Sequence, residues 1–376
     1  MIDPMSMTRA QFLGAAPLAL LRGASRDIRK IKDVVVYRDP RFYSAFPSIV
    51  RRPSGELLTA FRRAPDRRLT GAKGTSHTDP NSYLVLVRSR DQGETWTKDP
   101  ELIHAHAEGG AQDPCMVQLR DGLLVCASYA WYQMPRDSTP PYGFLGGYIM
   151  RSTDGARTWQ GPYYPPPVPG REHKDPYGKL HPVYNRGAMC QGRDGRLYWV
   201  IHYGKAALHS TDVHLMISSD GGRTWTYSCP VATDDKVNFN EASLYETPKG
   251  DLVAFIRTDN FDDHTVVARS TNHGKSFEPW QDAGFQGHPH HALRLPDNRV
   301  WLVYGYRHQP YGVRARILDP ECTTLAAAPE IILRDDGGSG DLGYPWATLL
   351  PNGRILSVYY FNQSGTTRFI GGTICG

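Results

Sequence analysis

Several polar residues of this 376-residue chain stand at positions that call for a chemical explanation. Arg257 ends the apolar run Leu252–Ile256, and a guanidinium at the end of such a run needs an anion or a carboxylate as its partner. His288, His290 and His291 fall within four residues of a loop rich in Gly and Pro. Imidazoles in such a cluster could bind hydroxyls, act as a base or hold a metal. Anion binding and proton transfer are therefore the chemistries to consider, beside structural ion pairing and packing.

An eight-residue phrase recurs four times and predicts the elements that must position these side chains. The pattern Ser-x-Asp-x-Gly-x-Thr-Trp begins at Ser89 and Ser218, and two degraded copies begin at Ser152 and Ser270. Ala156 takes the glycine position in one degraded copy. The Asp or Asn side chain can accept hydrogen bonds from nearby backbone N–H groups in a hairpin turn. Successive copies are 63, 66 and 52 residues apart, which is the length of a four-stranded propeller blade with a generous loop.

A second repeat, out of phase with the first, marks six tight turns that each precede an apolar run of strand type. These turns contain Gly55, Gly122, Gly195, Gly250, Asn298 and Gly353. Turns of this kind join buried antiparallel strands. Six turns predict an all-β chain that folds as one six-bladed β-propeller over residues 32–376. The strands Asp33–Tyr37 and Arg368–Ile374 are expected to share a blade and to close the ring, which would remove open sheet edges.

The composition agrees with a propeller and argues against several other classes of protein. The 29 prolines and 37 glycines suit a protein made of turns, and 40% apolar residues are enough for stacked sheets. The net charge of +5 comes without a basic run, which gives mild attraction to anionic ligands and little support for nucleic-acid binding. The six cysteines are scattered and form no CxxC pair, so a zinc site has little support. We expect no metal and no cofactor.

Residues 1–31 are expected to form an N-terminal leader or tail outside the propeller. Arg9 and Phe12 precede a short apolar run, as in a bacterial export signal, and the stretch resembles a twin-arginine leader whose second arginine is replaced by Ala10. A working leader would send the protein to the periplasm or out of the cell, and otherwise we expect a cytoplasmic protein. The apolar run is too short to span a membrane, and we expect no membrane span elsewhere.

Propellers with these repeats resemble the sialidase superfamily, and the likeness extends beyond the scaffold. The eight-residue box is shared by many non-enzymatic propellers, so by itself it specifies a fold rather than a function. Asp79 leads into the apolar strand before the first box, and Glu241 stands just before the Gly250 turn. Tyr344 precedes the Gly353 turn at the spacing of the family's nucleophilic tyrosine. The resemblance implies that Asp79 is the general acid/base, that Tyr344 is the nucleophile and that Glu241 is its partner.

The choice of tyrosine as nucleophile has a physical reason. In a sialoside the anomeric carbon bears a carboxylate, so a carboxylate nucleophile would meet like-charge repulsion and a neutral phenol would not. An adjacent glutamate can take the phenolic proton and so activate the oxygen. Sialidases that use tyrosine are an exception to the two-carboxylate rule for glycosidases. Ordinary packing is the alternative for Tyr344, since the chain contains 21 tyrosines.

The resemblance also assigns the cations, with one break in the pattern. Arg257 and Arg314 match the second and third arginines of the family's carboxylate-binding triad. Ala45 takes the place of the first arginine, and the acidic partner of that arginine is gone as well. Arg62 or Arg63 could supply the missing positive charge from a neighbouring position. We therefore expect a rebuilt anion pocket, with decay of the ancestral carboxylate site as the alternative.

Further side chains are expected to lie near the channel mouth and to bind substrate. They are Asp113, His181, Arg186, His288 and His290. Asp113 lies about one blade beyond Asp79, and His181 and Arg186 take the equivalent place in the next blade.

These residues are compatible with three functions. The first is a retaining exo-glycosidase that acts on a terminal sialic acid or a related acidic sugar, with an anionic glycan as its partner. The second is a lyase for uronate polysaccharides, in which a histidine or Tyr344 is the base and Arg257 neutralises the acid. The third is a non-catalytic carbohydrate-binding propeller, in which Asp79, Glu241 and Tyr344 need not converge.

Overall fold

The computed structural model describes residues 27–71, 78–133, 142–174, 178–204, 211–363 and 367–376. Residues 1–26, which hold the predicted export signal, lie outside the described residues, so the leader stays a prediction. The first strand begins at Lys30, two residues before the predicted start of the propeller.

Within these residues the chain forms 25 β-strands, which we number in chain order, and two 3₁₀ helices at Arg67–Thr70 and Leu325–Ala327. The first ten strands are β1 (Lys30–Tyr37), β2 (Phe42–Arg51), β3 (Leu57–Pro65), β4 (Tyr83–Ser89), β5 (Glu101–His104), β6 (Gly110–Ala111), β7 (Cys115–Gln118), β8 (Leu124–Gln133), β9 (Tyr142–Ser152) and β10 (Gln160–Tyr163). The next eight are β11 (Cys190–Gln191), β12 (Leu197–Gly204), β13 (Thr211–Ser218), β14 (Thr226–Ala232), β15 (Phe239–Glu246), β16 (Leu252–Thr258), β17 (His264–Ser270) and β18 (Gln281–Gln286). The last seven are β19 (His290–Arg294), β20 (Val300–Tyr306), β21 (Gly312–Leu318), β22 (Glu330–Arg334), β23 (Gly343–Leu349), β24 (Ile355–Phe361) and β25 (Phe369–Cys375).

The strands form six antiparallel sheets, which confirms the predicted six-bladed β-propeller. Blade 1 is β2–β5, blade 2 is β6–β10, blade 3 is β11–β14, blade 4 is β15–β18 and blade 5 is β19–β22. Blade 6 combines β23–β25 with β1, which pairs antiparallel with β25 from Lys30 opposite Cys375 to Tyr37 opposite Ile370. The predicted closure of the ring by the first and last strands is therefore confirmed, and this pairing covers an edge of blade 6.

The four repeats form hydrogen-bonded turns of one design, at the ends of β4, β9, β13 and β17. In the third copy the Ser218 hydroxyl accepts from the Gly222 N–H at 2.9 Å and donates to Asp220 Oδ1 at 2.9 Å. Asp220 also accepts from the Thr224 N–H at 2.9 Å and from the Thr224 hydroxyl at 2.7 Å. The Asp220 carboxylate thus accepts hydrogen bonds from both backbone and side-chain donors of the turn. Ala156 keeps the left-handed conformation of the glycine that it replaces, with φ of 66°.

The direction of the strands places these turns far from the predicted site residues. In each blade one strand ends at the tight Gly or Asn turn, the next strand returns, and the strand after that runs back to the end of the blade where the turn lies, which in blades 1–4 is where the box follows. The tight turns and the boxes therefore share one end of the propeller, which we call the box end. Residues that begin a first strand or end a second strand, such as Glu241, Tyr344 and Arg257, lie at the opposite end, which we call the tyrosine end.

Apolar side chains between neighbouring sheets form the core. The largest cluster joins blades 1, 2, 3 and 6 and includes Phe61, Trp199 and Tyr360, none of which is exposed. The first strands of neighbouring blades contact one another around most of the axis, as β2 does with β23 of blade 6. None of the helices among the described residues has the length and apolar character needed to cross a membrane.

Substitution of Asp220 by Ala should destabilise the propeller. The variant removes the acceptor for four hydrogen bonds within the box and leaves the N–H groups of Arg223 and Thr224 without this partner, so we expect the free energy of unfolding to fall by about 1–3 kcal/mol. Denaturant unfolding followed by tryptophan fluorescence measures this change. Ser219→Ala, an exposed neighbour, is the matched control and should stay within about 0.5 kcal/mol of the parent. Equal stabilities of the two variants would contradict the assigned role of the box.

Candidate active site at the tyrosine end

A buried tyrosine, a glutamate and an arginine share hydrogen bonds at the tyrosine end. The Tyr344 hydroxyl donates to Glu241 Oε1 at 2.6 Å, and Arg257 Nη1 donates to Glu241 Oε2 at 2.9 Å. Arg257 Nη1 also lies 3.3 Å from the Tyr344 oxygen. Glu241 and Tyr344 are each 6% exposed, so a ligand that reaches this group would be shielded from most of the solvent. We call these three residues the tyrosine group.

The protonation of the tyrosine group follows from its burial and its charges. Burial raises the pKa of Tyr344 well above its usual value, and the negative charge of Glu241 raises it further. Burial also acts to raise the pKa of Glu241, but Arg257 and the hydrogen bond from Tyr344 outweigh it, so this pKa lies below its ordinary value. The resting group is therefore a neutral phenol against an ionised carboxylate, which is the arrangement in which the carboxylate can accept the phenolic proton.

Backbone irregularities re-aim the side chains of this end. The pairing of β15 with β16 shifts between Phe239 and Ala242, and the pairing of β23 with β24 shifts between Gly343 and Trp346. Tyr344 itself has a φ of 52°, a conformation that is uncommon for a bulky residue. Bulges of this kind occur next to active sites, where they change the direction of a side chain. The strain at Tyr344 must be balanced by the contacts that its ring and hydroxyl make.

Two arginines that come from other blades lie against the Tyr344 ring. The Arg186 guanidinium lies 5.2 Å from the ring centroid and donates to the Tyr344 carbonyl at 3.0 Å. The Arg307 guanidinium lies 5.1 Å from the same centroid and donates to the Tyr360 hydroxyl at 3.1 Å. Phe46 packs edge-on against the Tyr344 ring, with centroids 4.8 Å apart. The predicted Arg186 is therefore part of the site, and Arg307 is a cation that the sequence analysis missed.

The structure does not bring Arg314 into this site. Its guanidinium donates to the carbonyls of Arg334 and Pro310 and lies 3.4 Å from Glu330, within blade 5 and the loop that leads into β21. The physical reason is its place in β21, the third strand of its blade, where it holds the outer strand β22 in place. Arg307 directly follows the apolar strand β20, as Arg257 ends the apolar strand β16. That shared pattern is the signal that could have identified Arg307.

Arg62 and Arg63 divide between the two faces of β3. Arg62 is the direct cross-strand partner of Ala45, the position where the family's first triad arginine is missing, and it is fully buried. Arg63 points to the other face, where its guanidinium lies 3.5 Å from the centroid of the Phe42 ring and 3.5 Å from Asp39. Successive residues of a strand alternate between faces, so only Arg62 can act on the side of Ala45.

Asp113 is a buried carboxyl group between these cations. It is 1% exposed, accepts from the Tyr129 hydroxyl at 3.1 Å, and its second oxygen has no hydrogen-bond partner among the described residues. Burial raises the pKa of Asp113 to about 6, the charge of Glu241 acts in the same direction, and Arg186 and Arg62 oppose it. Asp113 is therefore a second carboxyl group whose pKa is influenced by the charge of Glu241. Its protonation changes near neutral pH.

Asp79 lies at this end in a different setting. Arg67 donates two hydrogen bonds to the Asp79 carboxylate, from Nε at 2.7 Å and from Nη2 at 3.1 Å. The Asn81 N–H donates a third at 2.9 Å. Asp79 also contributes to the electrostatic environment of the buried Arg62. The arginine that holds Asp79 was not anticipated from the sequence.

The predicted histidines take three separate positions. His288 is 3% exposed, lies 3.3 Å from Asp263, and has Arg257 and Arg307 in its electrostatic surroundings. His290 is packed in blade 5, where its Nε2 is 2.7 Å from the Thr265 hydroxyl, so it contributes to packing between the blades. His181 packs its ring against Phe144, with centroids 5.3 Å apart. Only His288 thus borders the arginines of the site. Among the residues that the structure describes, no three His, Cys, Asp or Glu side chains converge as a metal site would require.

Half-buried aromatic rings continue the site beyond Asp113. Tyr129, the partner of Asp113, lies 5.1 Å from Tyr184 between ring centroids, and Phe144 lies 4.1 Å from Tyr184. Trp131 packs against Phe144 at 4.8 Å. A polar, charged centre beside a wall of aromatic rings is the composition expected of a site for a small organic ligand.

The buried Asp113 predicts a measurable pH dependence of stability. Its folded-state pKa is raised to about 6, so the native state holds this proton at pH values where the unfolded state has lost it, and stability falls as pH rises from about 4 to 6. Asp113→Asn removes this titration. The free energy of unfolding of the variant should therefore rise relative to the parent by about 2 kcal/mol between pH 4.5 and pH 7.

Denaturant unfolding at a series of pH values measures this difference. Asp235→Asn, at an exposed position, is the matched control and should keep the pH profile of the parent. A constant difference between Asp113→Asn and the parent across this range would contradict the assignment.

Comparisons with known proteins agree with this architecture. A family model for the BNR repeat-like domain matches residues 137–356. The crystal structure of a protein of unknown function from Dyadobacter fermentans is 54% identical, with a TM-score of 0.90 over 93% of this chain and 98% of that chain. No significant match was found among curated proteins.

Sialidase structures resemble the chain at much lower identity. A Hadza microbial sialidase is 16% identical, with a TM-score of 0.65 over 88% of this chain and 65% of that chain. A mutant of the NanB sialidase from Streptococcus pneumoniae is 14% identical, with a TM-score of 0.64 over 91% of this chain and 70% of that chain. At these identities the likeness shows a shared fold. The chain belongs to the BNR repeat-like family and has the six-bladed propeller fold of the sialidases.

Proposed function

We propose that the protein is a retaining exo-glycosidase that releases a terminal acidic sugar through a tyrosine nucleophile. The observation that carries this proposal is the 2.6 Å hydrogen bond from the Tyr344 hydroxyl to Glu241. Arg257 donates to Glu241 at 2.9 Å and to the Tyr344 oxygen at 3.3 Å. A phenol paired with a buried carboxylate is a nucleophile with its base in place. The sialidase-like fold gives the proposal its context, while the site itself supplies the chemistry.

In the first step Tyr344 attacks the anomeric carbon, and Glu241 takes the phenolic proton as the new bond forms. The raised pKa of Tyr344 means that the phenol keeps its proton at rest, so attack depends on this transfer. Arg257 stabilises the group because it donates to Glu241 and lies within 3.3 Å of the phenolic oxygen. The covalent tyrosyl glycoside would then be hydrolysed by water with retention of configuration.

The leaving oxygen needs an acid, and two carboxyl groups compete for this role. Asp79 has the position that the sialidase resemblance implies, but its ion pair with Arg67 must open before it can act as an acid. Asp113 has a pKa raised to about 6, which suits a group that gives and takes a proton near neutral pH. We assign the acid/base role to Asp79 on the resemblance and include Asp113 in the test.

The arrangement of cations supports an acidic sugar as the substrate. Arg257 and Arg307 flank the Tyr344 hydroxyl and ring, and the planar fork of arginine matches a carboxylate. Ala45 removes the first arginine of the family triad, and Arg62 stands across from it on β3. We therefore propose a sialic acid, another nonulosonate or a uronate, held by a different set of cations from that of the sialidases.

A uronate lyase is the second candidate, and one observation favours it. His288 lies beside Arg257 and Arg307 and is held by Asp263 at 3.3 Å, and burial lowers its pKa, so its neutral form is available as a base. A base next to arginines that neutralise a carboxylate is what proton abstraction from a uronate requires.

An assay on a panel of fluorogenic glycosides tests the proposal. A sialoside and aryl glycosides of other acidic and neutral sugars are incubated with the parent protein and with Tyr344→Phe, Asp79→Ala and Asp113→Ala. We expect release from an acidic sugar, a loss of about 10²-fold or more in Tyr344→Phe, and a loss of about 10²–10⁴-fold in the variant that lacks the acid/base.

Tyr359→Phe is the matched control, because this tyrosine lies in the adjacent strand β24 with its hydroxyl on Thr373, and it should retain activity. If the protein converts an acidic polysaccharide into a product that absorbs in the near ultraviolet, the lyase is favoured instead. Absence of both activities in the folded parent protein would favour a non-catalytic binding propeller.

A further inference from the structure

A charged cavity lies at the box end, between blade 1 and blade 2. It has a volume of about 550 Å³, and its wall is formed by Arg52, Glu56, Arg88, Arg90, Thr95, Trp96, Thr97, Glu101 and Arg157. Four guanidinium groups face two carboxylates, which leaves two positive charges in excess. The cavity lies at the end of the propeller opposite the tyrosine group, since the first and second boxes border it.

Two of the four arginines fasten blade 1 to the box of blade 2. Arg88 binds both oxygens of Glu101, at 2.6 and 2.8 Å, and donates to the carbonyls of Gly155 and Ala156, each at 3.1 Å. Arg52 packs on Gly155 so closely that a Cβ there would lie 2.4 Å from its guanidinium carbon. The positions of these two side chains are thus explained by the packing of the blades.

The other two arginines have no such structural task. The Arg90 side chain is 83% exposed, and among the described residues its ion pair is with Glu56, at 3.2 Å. Glu56 already pairs with Arg52 and Arg88, so one carboxylate is shared among three guanidinium groups. Arg157 is exposed, and its guanidinium forms no ion pair with the residues that the structure describes. Two arginine forks therefore remain available to an external anion.

An aromatic ring and two hydroxyls complete the wall. Trp96 is half-buried at the edge of the cavity, and its indole N–H is already bonded to the Gly93 carbonyl at 3.2 Å, so its contribution to a ligand is an apolar ring face. Thr95 and Thr97 add hydroxyl groups, of which the Thr95 hydroxyl donates to Asp91 and the Thr97 oxygen accepts from the Arg88 N–H at 3.0 Å. An apolar ring, hydroxyls and two exposed arginines, one of which shares Glu56 with two other guanidinium groups, together fit a sugar that carries carboxylates, because arginine binds a carboxylate through two parallel hydrogen bonds.

We propose that the cavity at the box end is a second, non-catalytic binding site for an acidic oligosaccharide of the uronate class, held by Arg90 and Arg157 against Trp96. Such a site would keep the protein on an acidic glycan while the tyrosine end stays free. It does not depend on the activity proposed for the tyrosine end.

Isothermal titration with a galacturonate tetrasaccharide tests the proposal. We expect the parent protein to bind it with an affinity that falls as salt rises, and the double variant Arg90→Ala, Arg157→Ala to bind at least about tenfold more weakly. Arg223→Ala is the matched control, because Arg223 is exposed and takes the position in the third box that Arg157 takes in the second. The affinity of this variant should equal that of the parent. Arg257→Ala, at the tyrosine end, should also retain binding at the second site.

Two further probes separate a glycan site from simple charge attraction. Maltotetraose lacks carboxylates and citrate lacks the sugar rings, and we expect both to bind at least about tenfold more weakly than the acidic tetrasaccharide. Parent-like affinity in the double variant, with its fold verified by an unchanged melting temperature, would overturn the proposal. Equal affinity for citrate or maltotetraose would overturn it as well.

Discussion

The tyrosine end depends on the burial of an ionised glutamate. Glu241 is 6% exposed, and a buried carboxylate is costly unless it is paired and hydrogen-bonded. Its partners are Arg257 from the neighbouring strand of blade 4 and Tyr344 from blade 6. Blade 6 is itself completed by the pairing of β1 with β25, so Tyr344 comes from the blade that closes the ring.

The same constraint explains the other unusual features of this end. Tyr344 adopts a strained backbone conformation because its hydroxyl must reach Glu241 while its ring lies between Arg186, Arg307 and Phe46. The positive charges that surround the site are in turn balanced by Asp113, whose raised pKa reflects both its burial and its nearness to Glu241. At the box end, by contrast, Arg90 is exposed and shares Glu56 with two other arginines, and the exposed Arg157 forms no ion pair with the residues that the structure describes.

The sequence predicted the fold because its repeats report strand ends and turns directly. Arg257 could be predicted as well, since a guanidinium at the end of an apolar strand requires an anion. Arg307 was missed and Arg314 was preferred, because the sequence cannot show which arginine projects from the end of an inner strand and which one ties down an outer strand. The bulges around Tyr344 and Glu241, and the ion pair of Asp79 with Arg67, are tertiary features that no local pattern encodes.

The most direct test of the account is to trap the covalent intermediate. The parent protein is incubated with a fluorinated acidic-sugar donor that carries a good leaving group, chosen from the sugar that the protein releases, and its peptides are mapped by mass spectrometry. Fluorine slows the breakdown of a glycosyl intermediate, so the account predicts one added sugar on the peptide that contains Tyr344, and none in the Tyr344→Phe variant. Release of the leaving group without a label on Tyr344, or with the label on a carboxylate such as Asp113, would contradict it.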